Sequence, residues 1–407
     1  MGRINDDIFI MSHGPFSLEN GKYSTHYAKA KFINDLSRFY KQVIVYADII
    51  GDNHSDYELI SQSQIESKSV TISPFWRVGA EKEERGKTLL KKYIYFVKMI
   101  LSEKNKWNHL FLFQSFYSVI ILMLLWGTRT HPKTILYIAG DLEESFSYRE
   151  KSKNLIVKSL FSIAYFVFRK LAIKKADIIL VHGQKLYDKF YQPGGKIEKI
   201  IPMRVGYTYS DDYSNLTQNK LIFVGRLIRS KGVDFLIKSV SKLQQRNISV
   251  QLNIIGSGPE EETLKSLTKK LNLENSVKFL GFIKNTDELK REYRDTQLLV
   301  LPSLTEGFPR VIYEAIENGV MILSSDAGGI KTFITNKKKG FILPVSELNR
   351  LDEYIENALS LPLRAKQRIV AAAAASLKNQ QEEYNNQDTA QQVASLFSDR
   401  KNKYDFR

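Results

Sequence analysis

The stretch LLVLPSLTEGFPRVIYEAIENG (298–319) decides how this chain is read. Leu298 to Leu301 form an apolar run of the length of a buried strand, and the run ends in Pro302–Ser303. Glu306 and Gly307 follow in a loop, Pro309 suits the first turn of a helix, and Glu314 falls about one and a half turns in. One carboxylate then waits at a strand end, where sugar hydroxyls can be held. The second stands on the helix, where it can hold a ribose diol, as acids do in other nucleotide sites. Between them the backbone N–H groups of Gly307 and Phe308, with Pro309 and Arg310 at the helix start, face the place a diphosphate would take. The same residues also fit a plain capped helix with a surface acid, and spacing alone leaves both readings open.

Upstream, the same strand-then-helix grammar repeats. LIFVG (221–225), QLNIIG (251–256) and VKFLG (277–281) are strand runs, each followed by a helical segment or a turn. MILSS (321–325) and GFILP (340–344) continue the series. In open parallel sheets, ligands bind beyond the carboxyl ends of the strands. After LIFVG stand Arg226, Arg229 and Lys231, with Gly232 opening the next helix. Cations beside a helix N-terminus make a diphosphate clamp, although solvated loop charges would have the same spacing. IIGSGP places Gly256, Gly258 and Pro259 at the second strand end, where glycines permit close backbone approach; a generic turn reads the same way. Gly281 and Phe282 end the third strand and are candidates to line the pocket of a base.

The first half alternates in the same fashion: IFIM (8–11), VIVYA (43–47), VTIS (70–73), LFLF (110–113), ILYIAG (135–140), IILV (178–181) and KIIPM (199–203) are interleaved with helical stretches. The chain is therefore predicted to be α/β, with two Rossmann-like doubly wound domains facing each other across a cleft. They occupy 1–207 and 220–375, joined by a polar linker at 208–219. A helical tail, 376–407, is expected to pack back on the first domain.

Composition bounds the function. The 407 residues suit two domains, and a hydrophobic content of 43% with 26% charged residues excludes a disordered or fibrous chain. The absence of cysteine excludes thiolate metal sites, iron–sulfur clusters and a cysteine nucleophile. The net charge of +16 implies an anionic partner, and residues 151–200, with 11 Lys and Arg against 3 Asp and Glu, hold half of that excess. The 151–175 segment mixes this charge with Leu155, Leu160, Phe161, Phe166 and Phe168, a pattern that suits an anionic membrane surface as well as a helix docked on its own sheet. A nucleic-acid module is not evident. The apolar run from Leu110 to Gly127 is broken by Gln114, Ser115 and Ser118 and reads as a buried strand and helix rather than a membrane span. The N-terminal residues, with Asp6 and Asp7, do not read as a secretory signal, so a cytoplasmic chain is expected.

Taken together, VGRLIRSKG, IIGSGP, VKFLGFI, EGFPRVIYE, SSDAGGIKTFI and GFILP resemble, in order and interval, the nucleotide-sugar-binding half of the family-4 retaining glycosyltransferases of GT-B fold. The resemblance is strong over about 120 residues and only architectural before them. It implies a transfer from a nucleotide diphosphate sugar to a saccharide or lipid-linked saccharide in the assembly of capsule, O-antigen or exopolysaccharide. It implies that Arg226 and Lys231 neutralise the departing diphosphate, that Glu306 holds the donor sugar and Glu314 the ribose, and that Gly328 and Gly329 shape the loop beside the phosphates. No cofactor and no metal are expected. In the first half, Gly14 corresponds to the family's loop near the donor phosphates. Gly140–Asp141 stands where many members carry His–Asp, which makes Asp141 the candidate for contacting the reacting groups. His182 reads as a structural or rim residue. An epimerase or phosphorylase on the same fold, or a non-catalytic nucleotide-sugar-binding subunit, remains the alternative.

Overall fold

The computed structural model describes residues 4–12, 16–19, 22–50, 62–78, 85–125, 132–138, 155–191, 197–200, 219–283, 286–306, 309–334, 336–383 and 389–398. The first sheet is built outward from β1 (Ile8–Met11), which is buried along its whole length between parallel neighbours β4 (Val43–Ile50) and β7 (His109–Phe113). Strands β8 (Lys133–Ile138), β9 (Ile178–His182) and β10 (Ile197–Ile200) continue the parallel order beyond β7, and β6 (Val70–Val78) pairs with β4. Both faces of the sheet are covered, which is why these strands are apolar runs without a polar side. Alternate residues serve opposite layers. Phe9, Met11, Leu110 and Leu112 pack with helices α2 (Arg85–Glu103), α3 (Phe116–Leu124), α4 (Leu155–Lys175) and α5 (Gly183–Phe190). Ile8, Ile10 and Phe111 pack with α1 (Tyr27–Leu36) on the other face.

The parallel reading of the first half omitted three short strands. β2 (Phe16–Glu19), β3 (Lys22–His26) and β5 (Gln62–Gln64) form an antiparallel extension, attached where Phe16 pairs with Ile49 near the carboxyl end of β4. They are short and mixed in polarity, so no apolar run marks them in the sequence.

The second sheet is wholly parallel. Its order is β13 (Val277–Gly281), β12 (Gln251–Ile255), β11 (Lys220–Val224), β14 (Leu298–Leu301), β15 (Met321–Ser325), β16 (Phe341–Leu343). The order reverses between β11 and β14. Their two strand-end loops therefore diverge and leave a crevice between them, the place where doubly wound sheets take ligands. The helices of this domain include α6 (Val233–Gln245), α7 (Glu261–Lys270), α8 (Thr286–Arg294), α9 (Val311–Glu317) and α10 (Leu351–Leu359).

The carboxyl ends of the two sheets face each other. Helix α5 of the first domain touches the turn Ile330–Thr332 of the second. Arg310, at the start of α9, also acts electrostatically on Tyr137 near the end of β8. Helix α11 (Leu363–Glu383) runs through position 376 without a break, and Leu377 is buried in the second core, so the second domain extends past 375. The last helix, α12 (Thr389–Ser398), lies instead against α1, with Ala390, Val393, Ala394 and Phe397 in the first domain's core. The Phe397 ring meets His109 at 4.6 Å and Tyr40 at 6.2 Å. Lys133 Nζ donates to the carbonyls of Leu396 and Phe397 at 2.7 and 3.1 Å, a cation on the carbonyl end of the helix.

Phe397→Ala is expected to destabilise the first domain by about 3–5 kcal/mol, the range for emptying a buried aromatic site. Urea unfolding followed by the near-ultraviolet signal measures it; a cost below about 1 kcal/mol would show that the last helix is not an integral part of that core.

Candidate functional site

The floor of the crevice is woven from backbone. Leu227 N–H donates to Ser257 O at 2.9 Å, Gly256 N–H to Gly281 O at 2.7 Å, and Leu304 N–H to Ser230 O at 2.8 Å. These bonds tie the ends of β11, β12, β13 and β14 into one surface. The glycines make the approach possible. A Cβ on Gly232, whose φ is +65°, would lie 2.1 Å from Pro302 O. One on Gly256, at φ +132°, would lie 1.9 Å from Gly225 O, and one on Gly258 would lie 2.4 Å from Leu227 O. The space that Gly256 and Gly258 leave is thus filled by the neighbouring loop, so their missing side chains are accounted for by packing. Their place at the strand ends keeps them beside the crevice all the same.

On this floor stand the charges. Arg226 and Arg229 are exposed and form no ion pair with any described residue. Lys231, in the short turn Arg229–Lys231, is partly buried, and its ammonium is paired with Glu306 across the crevice, joining the β11 loop to the β14 loop. Ser303 Oγ donates to the same Glu306 carboxylate oxygen at 3.0 Å, and Ser303 is itself fully buried. Its carbonyl accepts from Ser325 Oγ at 2.5 Å, which ties the β14 end to β15. The sequence reading passed over Ser303. Its only signal was position, a hydroxyl residue three before the candidate carboxylate.

Helix α9 begins at Val311, with Arg310 as its first flanking residue, two positions later than the proline suggested. Pro309 is partly buried and Arg310 exposed at the helix entrance. Glu314 therefore stands in the first turn, partly buried, and its Oε2 accepts from Tyr293 Oη at 3.0 Å. Tyr293 comes from α8 and is fully buried; burial, with Glu314 and Glu317 adding to it, pushes its phenol well above the usual value, so it stays a donor. Tyr293 fixes the carboxylate's orientation, a role that no local pattern in α8 announces.

The loop after β15 closes the far side. Gly328 is left-handed at φ +61°, and Asp326 spans the turn by accepting from Lys331 Nζ at 2.6 Å and from the Val345 N–H at 2.9 Å. Burial pushes the Asp326 carboxyl up, but those hydrogen bonds outweigh it and leave the group below its ordinary value. Gly329 is buried beside Gly328. Phe282, just after the left-handed Gly281, is 41% exposed at the end of β13, an uncovered ring at the rim. Across the crevice, His182 is the last residue of β9. Gly14, Gly140, Asp141, Gly307 and Phe308 lie outside the described residues.

The structure thus brings Arg226, Lys231, Glu306, Pro309, Arg310 and Glu314 to the switch point of one sheet, with Gly256, Gly258 and Phe282 along the adjoining strand ends. Residues 211–376 match the family described as glycosyl transferases group 1. That match covers most of the second domain, which is thus similar to the group 1 glycosyl transferases. An uncharacterized glycosyltransferase of Haemophilus influenzae is 35% identical over 144 residues, 35% of this chain and 39% of that protein. Protein CapJ of Staphylococcus aureus is 32% identical over 176 residues, 43% of this chain and 45% of CapJ. The chain thus spans less than half the length of these curated relatives. Among solved structures, sucrose-phosphate synthase from Thermosynechococcus elongatus superposes with a TM-score of 0.70 at 16% identity, over 97% of this chain and 98% of that one. Anabaena HepE in complex with UDP gives 0.65 at 17% identity, over 97% and 99%. At such identities the likeness shows the fold, and the fold is GT-B.

Gly256→Ala and Gly281→Ala separate crowding from backbone strain in the second domain. A Cβ at Gly281 would meet nothing within 4 Å, so only its left-handed φ is penalised, by about 1–2 kcal/mol. Gly256→Ala is expected to cost clearly more in thermal unfolding; equal losses would remove loop crowding as the reason for the glycine.

Proposed function

We propose that this chain is a retaining glycosyltransferase. It would move a sugar from a nucleotide diphosphate sugar to a saccharide or lipid-linked saccharide in the assembly of a surface polysaccharide. The observation that carries the reading is the Lys231–Glu306 pair beside the open Arg226, at the switch point of the second sheet. A diphosphate entering there is the stronger partner for Lys231, because it brings more charge than one carboxylate. Glu306, released from the lysine and still held by Ser303, then turns to the hydroxyls of the donor sugar. Glu314, oriented by Tyr293, is left to the ribose.

The reaction breaks the bond between the anomeric carbon and the phosphate oxygen. Arg226 and Lys231 would take up the charge that develops on the departing diphosphate, the task a divalent cation performs elsewhere, so no metal is required. The acceptor hydroxyl would bond to the anomeric carbon on the face the diphosphate leaves, and its proton would pass to the leaving phosphate oxygen. Support for the donor class comes from HepE, solved with UDP and with UDP-glucose. Support for the pathway class comes from the names of two relatives, a putative colanic acid biosynthesis glycosyltransferase of Salmonella typhimurium and an amylovoran biosynthesis glycosyltransferase of Erwinia amylovora.

The same reading places the chain in the cytoplasm, peripheral to the inner face of the cell membrane. Among the described residues no helix is long and apolar enough to cross a membrane. Helix α4 buries Tyr165, Phe168, Leu171 and Ala172 against the sheet, yet Ile163, Phe166 and Val167 are 60%, 50% and 43% exposed. Spacings of three and four put these three on one helical face with Lys170 and Lys174. The Arg169 guanidinium and Lys170 ammonium lie 5.7 and 5.4 Å from the Phe166 ring centroid. An apolar stripe with a cationic border fits the interfacial plane of an anionic bilayer.

Titration calorimetry against UDP, GDP, ADP and CMP, with and without EDTA, tests the donor site. One diphosphate is expected to bind selectively, with no effect of EDTA, and Lys231→Ala should abolish that binding. Failure to bind any of the four would count against the enzyme and for a non-catalytic role. Once the donor is known, Glu306→Ala and Lys231→Ala should each lower turnover by about 10²–10³-fold with the fold intact; normal turnover in both would refute the site.

Vesicle sedimentation tests the membrane arm. Binding is expected to rise with the fraction of anionic lipid and to fall several-fold in Phe166→Asp. Equal binding by that variant and the wild type would remove the helix from the proposal.

A further inference from the structure

Lys231 and Glu306 are paired side chains on two loops whose backbones are fastened together. The fastening lies on both sides of Lys231. Ser230 O accepts from Leu304 N–H at 2.8 Å, and Gly232 passes so near Pro302 that a Cβ on it would lie 2.1 Å from the Pro302 carbonyl oxygen. The pair therefore opens by rotation of its side chains, not by parting of the loops. Arg226 and Arg229, carried by the same β11 loop, are exposed and form no ion pair with any described residue. Of the three cations that a diphosphate would meet, Lys231 is the contested one.

Opening the pair has unequal consequences for its two halves. Lys231 passes from a carboxylate to a phosphate and stays paired. The Glu306 side chain is only 9% exposed, so little water can reach it to replace the ammonium. Ser303 Oγ still donates to the same carboxylate oxygen at 3.0 Å, but that hydroxyl is neutral and Ser303 is fully buried. A carboxylate cut off from water and left with one neutral donor is costly. A sugar hydroxyl brought beside it removes that cost, because it donates to the charge. A nucleoside diphosphate without a sugar brings no such donor, its ribose hydroxyls being taken by Glu314 in the proposed binding mode.

We infer that Glu306 is the residue by which the site prefers the intact nucleotide diphosphate sugar to the spent nucleotide. It withholds Lys231 from any diphosphate that does not bring a sugar in exchange. The inference rests on the glycosyltransferase reading and deepens it, since the pair that receives the donor then also favours release of the product. A ligand that needs the pair open loses affinity in proportion to how rarely it is open, so a pair open about one-tenth of the time weakens the bare nucleotide about tenfold.

Calorimetry on the full chain tests this with UDP and with whichever of UDP-glucose, UDP-galactose and UDP-N-acetylglucosamine the wild type binds most tightly. If the wild type selects GDP or ADP instead, that nucleotide and its glucose conjugate take their place. Glu306→Gln keeps the shape of the side chain and can still accept from Ser303, but it no longer competes for Lys231 as a charge. It is expected to bind UDP about tenfold more tightly than the wild type does and the nucleotide sugar no more tightly. Glu306→Ala serves if the glutamine variant does not fold. Lys231→Ala and the double variant Lys231→Ala/Glu306→Gln should bind UDP equally poorly, because without the lysine there is nothing for Glu306 to withhold.

Equal or weaker UDP binding by both Glu306 variants overturns the inference, as does a parallel tightening of UDP and the nucleotide sugar. Recovery of UDP binding in the double variant over Lys231→Ala overturns it as well, since Glu306 would then merely repel the diphosphate. In these three cases the wild type binds a nucleotide and the glycosyltransferase reading stands. A wild type that binds no nucleotide, with every variant equally inert, is the failure of that reading and takes the inference with it.

Discussion

Backbone meets backbone at the carboxyl ends of the second sheet, and the rest of the site depends on that contact. Where Gly232 passes under Pro302, Gly256 against Gly225, and Gly258 against Leu227, there is no room for a side chain. Loops this close act as a single surface, because displacing one requires displacing its neighbour's carbonyl. The consequence is chemical. Arg226 and Lys231 are carried by the β11 loop and Glu306 by the β14 loop, so the positions of opposite charges are fixed by hydrogen bonds such as Leu304 to Ser230 rather than by flexible side chains alone. The proposed recognition of a diphosphate and a sugar together would gain from such preorganisation, since ordering is completed on folding rather than on binding.

The pairing of Lys231 with Glu306 follows from this rigidity. Two loops held at fixed separation place a partly buried cation and a mostly buried carboxylate within reach, and leaving either unpaired would cost more than a surface charge does. Ser303 makes the arrangement asymmetric. Its hydroxyl donates to the same Glu306 oxygen that pairs with Lys231, so under the proposed reaction the carboxylate would retain a donor when a phosphate draws Lys231 away. Tyr293 does for Glu314 what Ser303 does for Glu306. In both cases a neutral hydroxyl orients a carboxylate without neutralising it.

Much of this was legible in the sequence, and the reasons differ by element. Strands buried on both faces appear as unbroken apolar runs, which is why IFIM, LIFVG and MILSS could be read directly. The charged strand-end residues could be read because parallel topology assigns function to the carboxyl ends. The antiparallel strands β2 and β3 were missed although Glu19 and Lys22 pair across just two residues, Asn20–Gly21, a turn signal that the low apolar content of the flanks obscured. The spacing of Ala390, Val393, Ala394 and Phe397 encodes one apolar face of a helix, but not which core receives it. Tyr293 and Ser303 were not legible, because their partners are distant in sequence or set by loop geometry rather than by a repeat.

The last helix ties the second domain back to the first. After completing the second domain, the chain returns to the first and buries Phe397 between Tyr40 and His109. His109 and Lys133 begin β7 and β8, whose far ends carry Phe113 and Tyr137. The strands that anchor the returning helix at one end thus present the crevice wall at the other. That wall faces Arg310, which stands at the entrance of the helix bearing Glu314. The chain therefore runs from the second domain, through the last helix, back into the core of the first. The anchor at Phe397 thus lies at the opposite ends of these strands from the residues that face the second domain.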